Sequence, residues 1–407
     1  MKSPKTHFLS TVVLLGLPLV FSGCGSSENS QTEKTELADK TENPGETDQT
    51  DKAENLEEGE EPEEIDLGKE EPVDQFPFLL KPNPIDDFTW EVSGNLVTII
   101  KCKASGKVVL PKVIAGFPVG RIGSLVSDAN TLPRQFSEGN AIPDGVTALV
   151  IPDSLKSIGD GAFYGCKSLT RLKMPNEVAS VGKYAFYGCE NLRSVTIGTG
   201  LTSIGDGAFY GCSRLTEPVL PDSLTYIGQK AFEGCSSFTG ITLPVAVNSI
   251  AGSAFNGCPR LASISVSEKN PTFSSEEGVL LNKAKQLVLR CPQGKNGAYE
   301  VPASVTHVGD AAFHGCVGLT SVTMPEGTIA IGNYAFRECS ALETISIPQS
   351  VNAIGSFAFA SCLKLTGARI PTGVPSIGNF VFHGCKSLNS VEIDDKVTSI
   401  GNGAFHG

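Results

Sequence analysis

Cysteine is the residue type of this chain whose side chain and regular spacing best suit metal binding or disulfide formation. Nine of its twelve cysteines recur every 23 residues on either side of one longer gap: Cys166, Cys189, Cys212, Cys235, Cys258, Cys316, Cys339, Cys362 and Cys385. Zinc sites usually need close C-x-x-C pairs, which this pattern lacks. Cysteines stacked in parallel would hold their Cβ atoms about 4.8 Å apart, wider than a disulfide prefers. We therefore predict a ladder of buried, reduced thiols that act as small apolar fillers, with disulfides as the alternative.

The histidines offer little for catalysis or metal binding. His314, His383 and His406 share one slot between Phe and Gly, which holds Tyr, Glu, Asn, Arg or Ala in other repeats. A slot that accepts so many side chains is expected to face solvent, and a metal ion shared by His383 and His406 is the alternative. H-E-x-x-H, G-x-S-x-G and phosphate-loop patterns are absent from the sequence. We therefore predict no enzyme activity, no cofactor and no metal.

The same slot supplies the first candidate for binding. Tyr164, Tyr187 and Tyr210 occupy it in three consecutive repeats, which predicts an exposed aromatic row about 10 Å long. Tyrosine brings rigid amphipathic area to binding surfaces, although the rings could instead lie over the turn and shield the core. Arg171 and Lys173, at outward positions of a strand, are the second candidate. They border a low-charge hydroxyl surface suited to a protein or a glycan.

These residues belong to a repeating unit that is clearest from Leu169 to Asn191. Leu172 and Met174 alternate with Arg171 and Lys173, which is the period of a strand with one buried face, and a proline ends it. Two valines three residues apart then predict a second, short extended piece. The A-F-x-G-C phrase predicts a single helical or 3₁₀ turn. A period of this length is typical of a solenoid.

Two irregular regions accompany the regular repeats. Residues 76–145 are predicted to form an N-terminal cap with a divergent first rung, and residues 146–407 the repeats, with an insertion at about residues 268–301. The stretch from Gly278 to Pro292 is typical of a hairpin that turns at residues 282–285. We expect the insertion to add one variant rung and to leave the solenoid continuous. The sequence ends one residue before the next cysteine is due, so the last rung is either natural and uncapped or truncated.

The N-terminus is predicted to direct export. Two lysines precede an apolar run from Phe8 to Phe21, which is too short for a membrane span. The tripeptide Ser-Gly-Cys that ends at Cys24 resembles the bacterial lipobox, although Phe21 stands where leucine is commoner. The resemblance implies a lipoprotein signal peptide at residues 1–23 and a lipid anchor on Cys24. An ordinary signal peptide cut elsewhere is the alternative.

Residues 24–75 are predicted to form a disordered acidic tether. Between Glu28 and Asp74 there are 19 acidic residues, four lysines and almost nothing apolar. Such a segment cannot offset its ordering entropy by burial. The net charge of the whole chain is −12, so its acidity belongs to this segment. Elsewhere Lys and Arg are scattered, and no nucleic-acid partner is predicted.

The repeat carries a family resemblance. The unit L-x-x-[VI]-x-[IM]-P-x-x-[VL]-x-x-I-G-x-x-A-F-x-G-C, as in Leu342 to Cys362, resembles the BspA-type, or treponemal-type, leucine-rich repeat. The resemblance implies a right-handed, horseshoe-like, mostly β solenoid with one parallel strand per rung. It also implies display on a bacterial surface, where known members act as adhesins for host matrix and plasma proteins or for other bacteria.

Two functions follow as expectations. The first is a lipid-anchored, non-catalytic cell-surface protein, exported and expected in the outer membrane, which binds through its exposed repeat surface in adhesion or ligand capture. Its expected partner is a host matrix or plasma protein, another bacterial surface or a glycan, and it meets the membrane through its N-terminal lipid only. The alternative is a structural or self-associating envelope protein.

The lipid anchor is testable by the substitution Cys24→Ser. We expect the variant to lose its acyl label and its fractionation with membranes, because the resemblance places the lipid on the cysteine that ends the lipobox-like tripeptide. Metabolic labelling with a fatty acid in the native host measures this. A variant that still carries the label would rule out Cys24 as the anchor.

Overall fold

A computed structural model describes residues 81–123 and 141–407. The predictions for residues 1–75, including Cys24, lie outside the described residues, as do residues 76–80 and 124–140 of the predicted cap. Within the described ranges the chain is a β-solenoid, as the sequence predicts, and its only helical element is the 3₁₀ turn Ile85–Asp87. No helix in these ranges is long and apolar enough to span a bilayer.

The cap starts with an antiparallel hairpin and leads directly into the solenoid. Its strands are β1 (Phe88–Ser93), β2 (Leu96–Cys102), β3 (Gly106–Val109), β4 (Val113–Ile114), β5 (Phe117–Ile122) and β6 (Val146–Val150). β1 pairs with β2 around Gly94, whose φ is 61°. β2 pairs in parallel with β5, and β3 with β6. The cap thus starts two parallel ladders, one of longer strands and one of short strands.

Each regular rung adds to these two ladders. The strands of the first array are β7 (Ser157–Ile158), β8 (Arg171–Lys173), β9 (Ser180–Val181), β10 (Ser194–Thr196), β11 (Ser203–Ile204), β12 (Tyr226–Ile227), β13 (Gly240–Leu243), β14 (Ser249–Ile250) and β15 (Ser263–Val266). Paired residues lie 23 positions apart, as Arg171 and Ser194 do. The register therefore confirms the period read from the sequence. Leu172, between two exposed neighbours on β8, is buried in the core.

One rung of the first array lacks its longer strand. Residues 217–219 stand at the strand position but form no strand. Pro218 is the reason, because proline has no N–H to donate to a neighbouring strand. Val219, at the outward position that Lys173 and Thr196 hold in the two preceding rungs, is 83% exposed. The longer-strand ladder is interrupted between β10 and β13, and the predicted hydroxyl surface is interrupted with it.

The turn after each short strand forms a third ladder. Within one rung, Tyr164 N donates to Gly161 O at 3.0 Å and Cys166 N donates to Phe163 O at 3.1 Å. Between rungs, Phe163 N donates to Ala185 O at 2.7 Å. Local bonds of the 3₁₀ type therefore alternate with bonds to the next rung. This alternation stops the predicted turn from extending into a helix.

The recurring cysteines lie in the turn ladder, where every described cysteine is buried and none forms a disulfide. Cys189 Sγ donates to Phe163 O at 3.1 Å, and Cys212 Sγ donates to Phe186 O at 3.2 Å. The same bond is made by Cys235, Cys258, Cys339, Cys362 and Cys385. Burial raises the pKa of the Cys212 thiol, so it stays protonated and can donate. The thiols are thus hydrogen-bond donors as well as apolar fillers.

The phenylalanines of the A-F phrase stack along the core beside these thiols. The ring centroids of Phe163 and Phe186 are 4.7 Å apart, and those of Phe186 and Phe209 are 5.0 Å apart. All three rings are fully buried. Stacked rings with these separations lie in the favourable range for aromatic pairs, so the same residue fills the core in successive rungs.

The insertion is a three-stranded antiparallel meander followed by one longer strand. Its strands are β16 (Phe273–Glu276), β17 (Val279–Asn282), β18 (Leu287–Arg290) and β19 (Asn296–Glu300). β17 pairs antiparallel with β16 and β18, and β18 then pairs in parallel with the next short strand. Leu280 packs against the core of the first array, whereas Val279 and Leu281 pack in the core of the second. The meander therefore joins the two cores, although both strand ladders restart at it.

Cys291 marks the variant rung, because its N donates to Ala312 O at 2.6 Å in the turn ladder. The rest of that turn is completed by a side chain. Gln293 Oε1 accepts from Cys258 N at 3.0 Å, and Gln293 Nε2 donates to His314 O at 3.1 Å. The side-chain amide of Gln293 thus takes the place of a missing peptide group between the two arrays.

The second array repeats the first. Its strands are β20 (His307–Val308), β21 (Gly318–Thr323), β22 (Ala330–Ile331), β23 (Thr344–Ser346), β24 (Ala353–Ile354), β25 (Gly367–Ile370), β26 (Ser376–Ile377), β27 (Ser390–Ile393) and β28 (Ser399–Ile400). Paired residues again lie 23 positions apart, as Ser321 and Thr344 do.

The substitution Gln293→Ala tests the bridge between the arrays. It would leave Cys258 N–H and His314 C=O without their partner, and a buried unpaired group costs about 1–3 kcal/mol. We expect the free energy of unfolding to fall by about 2–4 kcal/mol, measured by urea denaturation. Gln349→Ala, at an exposed turn, is the matched control and should change little. Equal stability of the two variants would contradict the bridge.

Candidate ligand-binding surfaces

The three predicted tyrosines form one stacked row on the turn ladder. The ring centroids of Tyr164 and Tyr187 are 4.7 Å apart with an interplanar angle of 2°, and those of Tyr187 and Tyr210 are 4.7 Å apart with an angle of 6°. Each residue follows the buried Phe of its rung, so the tight turn directs it outward. We call these three residues the tyrosine row.

The tyrosine row is half-buried, not fully exposed as the slot was predicted to be. Each ring lies against the ring of the next rung, so both faces of Tyr187 are covered and its edge is the part left for a ligand. Burial raises the pKa of Tyr164 and of Tyr187. Tyr184 meets Tyr187 edge-on at 6.0 Å, which fixes the middle ring from the side.

The basic candidates lie on a different surface. Arg171 and Lys173 are exposed on β8, and their partners on β10 are Ser194 and Thr196. They belong to the longer-strand ladder, whereas the tyrosine row belongs to the turn ladder. The structure thus divides the five predicted residues into two surfaces and does not bring them together in one site.

The slot between Phe and Gly that holds the tyrosine row is filled by other residue types further along the solenoid. Glu233 and Asn256 follow the tyrosine row, and His314 follows the insertion. Burial lowers the pKa of His314, and its Nδ1 lies 3.2 Å from Arg337 O. The prediction of a uniformly solvent-facing slot is therefore wrong, because Ala360 in the same slot is only 1% exposed.

His383 and His406 stack with their ring centroids 5.2 Å apart. In the described part of the chain, no group of three or more His, Cys, Asp or Glu residues is placed to hold a metal ion. Burial raises the pKa of Cys189, Cys212 and Cys235, so these thiols stay protonated within the core. The described surface presents aromatic ring edges, hydroxyl groups and cations.

A second aromatic row escaped the sequence analysis. Tyr334, Phe357 and Phe380 precede the Ala-Phe or Val-Phe pair of three consecutive rungs, and their centroids are 5.0 and 4.7 Å apart along the row. We call these three residues the second aromatic row. Their side chains are partly exposed. The sequence signal was available: aromatic residues occupy one slot in three successive repeats.

The backbone of the second aromatic row is strained. Tyr334, Phe357 and Phe380 have φ values of 56°, 57° and 55°. This left-handed region favours glycine, and a bulky residue there costs on the order of 1–3 kcal/mol. Gly161 and Gly207 hold the same slot in other rungs, each with φ of 61°. Stacking returns only about 0.5–1.5 kcal/mol per pair, so stability alone does not explain the aromatic residues.

Comparison with protein families places these surfaces on a known scaffold. The model of the BspA type leucine rich repeat region matches six copies, at residues 144–262, 204–277 and 296–407. The matched ranges span more than half of the chain. The protein belongs to the BspA-type leucine-rich repeat family, as the repeat resemblance indicated.

Solved structures agree with this fold. A leucine rich cell surface protein from Faecalibacterium prausnitzii is 26% identical, with a TM-score of 0.54 over 77% of this chain and 94% of that chain. A leucine-rich repeat protein from Bacteroides ovatus is 25% identical, with a TM-score of 0.51 over 80% of this chain and 92% of that chain. The pneumococcal vaccine antigen PcpA, 21% identical with a TM-score of 0.54 over 78% of this chain and 84% of that chain, shares the fold. No relative was found among curated sequences.

Proposed function

We propose that this protein is a non-catalytic binding protein of the bacterial cell surface, which acts in adhesion or ligand capture through its turn ladder. The tyrosine row is the observation that supports this function best. Its rings are held at fixed spacing before a ligand arrives, so little side-chain entropy is lost on binding. Tyrosine is also enriched among the residues that dominate binding energies.

A cell-surface location is supported by the family and by the named relative. The structure from Faecalibacterium prausnitzii is described as a cell surface protein, and family members share this fold. We extend that location to this chain, with export directed by residues 1–23, a lipid anchor on Cys24 and the acidic segment 24–75 as the tether. In a Gram-negative host the anchor would lie in the outer membrane.

The proposed ligand is a host matrix or plasma protein, another bacterial surface or a glycan. The tyrosine row offers amphipathic edges, and the strand surface around Arg171 and Lys173 offers cations beside hydroxyl groups. Either surface suits a large, partly polar partner better than a small molecule, because both are open and extended. The strand surface is the secondary one, since the break at Pro218 limits its length.

A binding array with the purified chain tests the tyrosine row. We expect saturable binding to at least one matrix protein, plasma protein or glycan, and a loss of roughly tenfold or more in affinity when Tyr164, Tyr187 and Tyr210 are all changed to alanine. The reason is that the variant removes the rigid edges but leaves the buried core intact.

Tyr226→Ala is the matched control, because Tyr226 is 38% exposed but lies in the short-strand ladder outside the row. It should bind as the unchanged protein does. If the triple variant and the control bind equally well, the tyrosine row is not the site. Absence of any ligand together with concentration-dependent self-association would favour the structural envelope function instead.

A further inference from the structure

The second aromatic row carries an inference that does not rest on the proposed function, because none of its residues belongs to the tyrosine row. Each of its three residues adopts a backbone conformation that suits glycine. At the end of the row, the Phe380 ring lies over Gly403, where a Cβ would collide with it. The same slot holds glycine in some rungs, Lys230 and Ala311 in others, and bulky rings in three successive ones.

The exposed part of this row consists of ring edges. Phe357 has a ring stacked on each face, since Tyr334 lies on one side and Phe380 on the other. Phe380 is covered on its outer face by the backbone at Gly403. Because aromatic rings are negative on their faces and positive at their edges, the row presents partial positive charge to solvent.

Cationic and imidazole side chains flank both ends of the row. The Arg337 guanidinium lies 5.8 Å from the centroid of the Tyr334 ring, and His383 meets Phe380 edge-on at 5.7 Å. The slot of Arg337 and His383 holds the small, buried Ala360 in the rung between them. Arg337 and His383 are two rungs apart, about 10 Å along the ladder, and we call the place at Ala360 between them the notch.

Arg337 supplies a positive charge beside the notch. Among the described residues, Glu338 is the acid that pairs with it, at 3.1 Å, and both side chains are substantially exposed. Such an exposed pair is weak, so a ligand carboxylate can replace Glu338. Among the described residues, His383 Nδ1 has no hydrogen-bond partner, whereas Nδ1 of His314 in the same slot contacts Arg337 O. His383 Nδ1 is therefore buried without the kind of contact that joins His314 to the next rung.

We propose that the second aromatic row, with Arg337 and His383, binds an acidic peptide segment of a partner protein. Apolar side chains of the peptide pack along the ring edges, and a carboxylate enters the notch at Ala360. A glycan fits less well, because a sugar ring packs on an aromatic face and the faces of Phe357 and Phe380 are covered. Aromatic residues and arginine are also enriched in the cores of protein interfaces.

The double substitution Phe357→Gly and Phe380→Gly separates binding from stability. Glycine suits the left-handed backbone, so we expect the melting temperature to change little. We expect the affinity for a fluorescent synthetic peptide of alternating glutamate and leucine to fall by roughly tenfold or more. Arg337→Gln should weaken the same complex. Tyr184 has the same backbone conformation in the first array, and Tyr184→Gly should leave the affinity for the peptide unchanged.

Four outcomes would overturn this proposal. These are an unchanged affinity of the double variant, a large fall in its melting temperature that shows a structural role, and equal binding of a peptide in which lysine replaces glutamate. The fourth is binding of chondroitin sulfate in place of the acidic peptide, which would assign the surface to a glycan. Fluorescence anisotropy with the full chain measures all of the affinities.

Discussion

The hydrogen bond from a cysteine thiol to the phenylalanine carbonyl of the preceding rung, made by seven of the described cysteines, is the interaction on which the regular rungs depend. That carbonyl already accepts the N–H of the cysteine in its own rung, as Phe163 O does from Cys166 N, and the thiol of the next rung, Cys189, adds a second donor. The bond requires a protonated, buried thiol, and burial raises the pKa of Cys258 to about 12. A residue that is small, apolar enough for the core and still a donor meets these requirements, which explains why cysteine recurs with the period of the rung.

The sequence predicts this scaffold well because every rung repeats the same buried positions. The period, the inward leucines of the longer strand and the positions of phenylalanine and cysteine all follow from one unit such as Leu169 to Asn191. Features that depend on contacts between rungs were not predictable in this way. The thiol bonds join residues 26 positions apart, and the bridge through Gln293 joins backbone groups of two rungs that a single repeat does not contain.

The candidate surfaces were predicted only in part, and the physical reason is again the contact between rungs. The tyrosine row was visible because one residue type recurs in one slot, but its stacking and half-burial follow from the rung spacing. The second aromatic row was visible in the same way, but its strained backbone is a property of φ, which no residue type reveals. Both rows lie on the turn ladder and offer edges, not faces, since stacking covers the faces. The regular residues thus build the scaffold, and the variable slots between them form the surfaces.

The central claim, that stacked thiols and not disulfides hold the rungs together, is tested most directly by counting free thiols. The purified protein is denatured without a reducing agent, labelled with an alkylating reagent and analysed by mass spectrometry. The structure predicts that most of the described cysteines, from Cys102 to Cys385, are free to react. If nearly all of them are blocked as disulfides, the thiol ladder is wrong and the rungs are joined covalently instead.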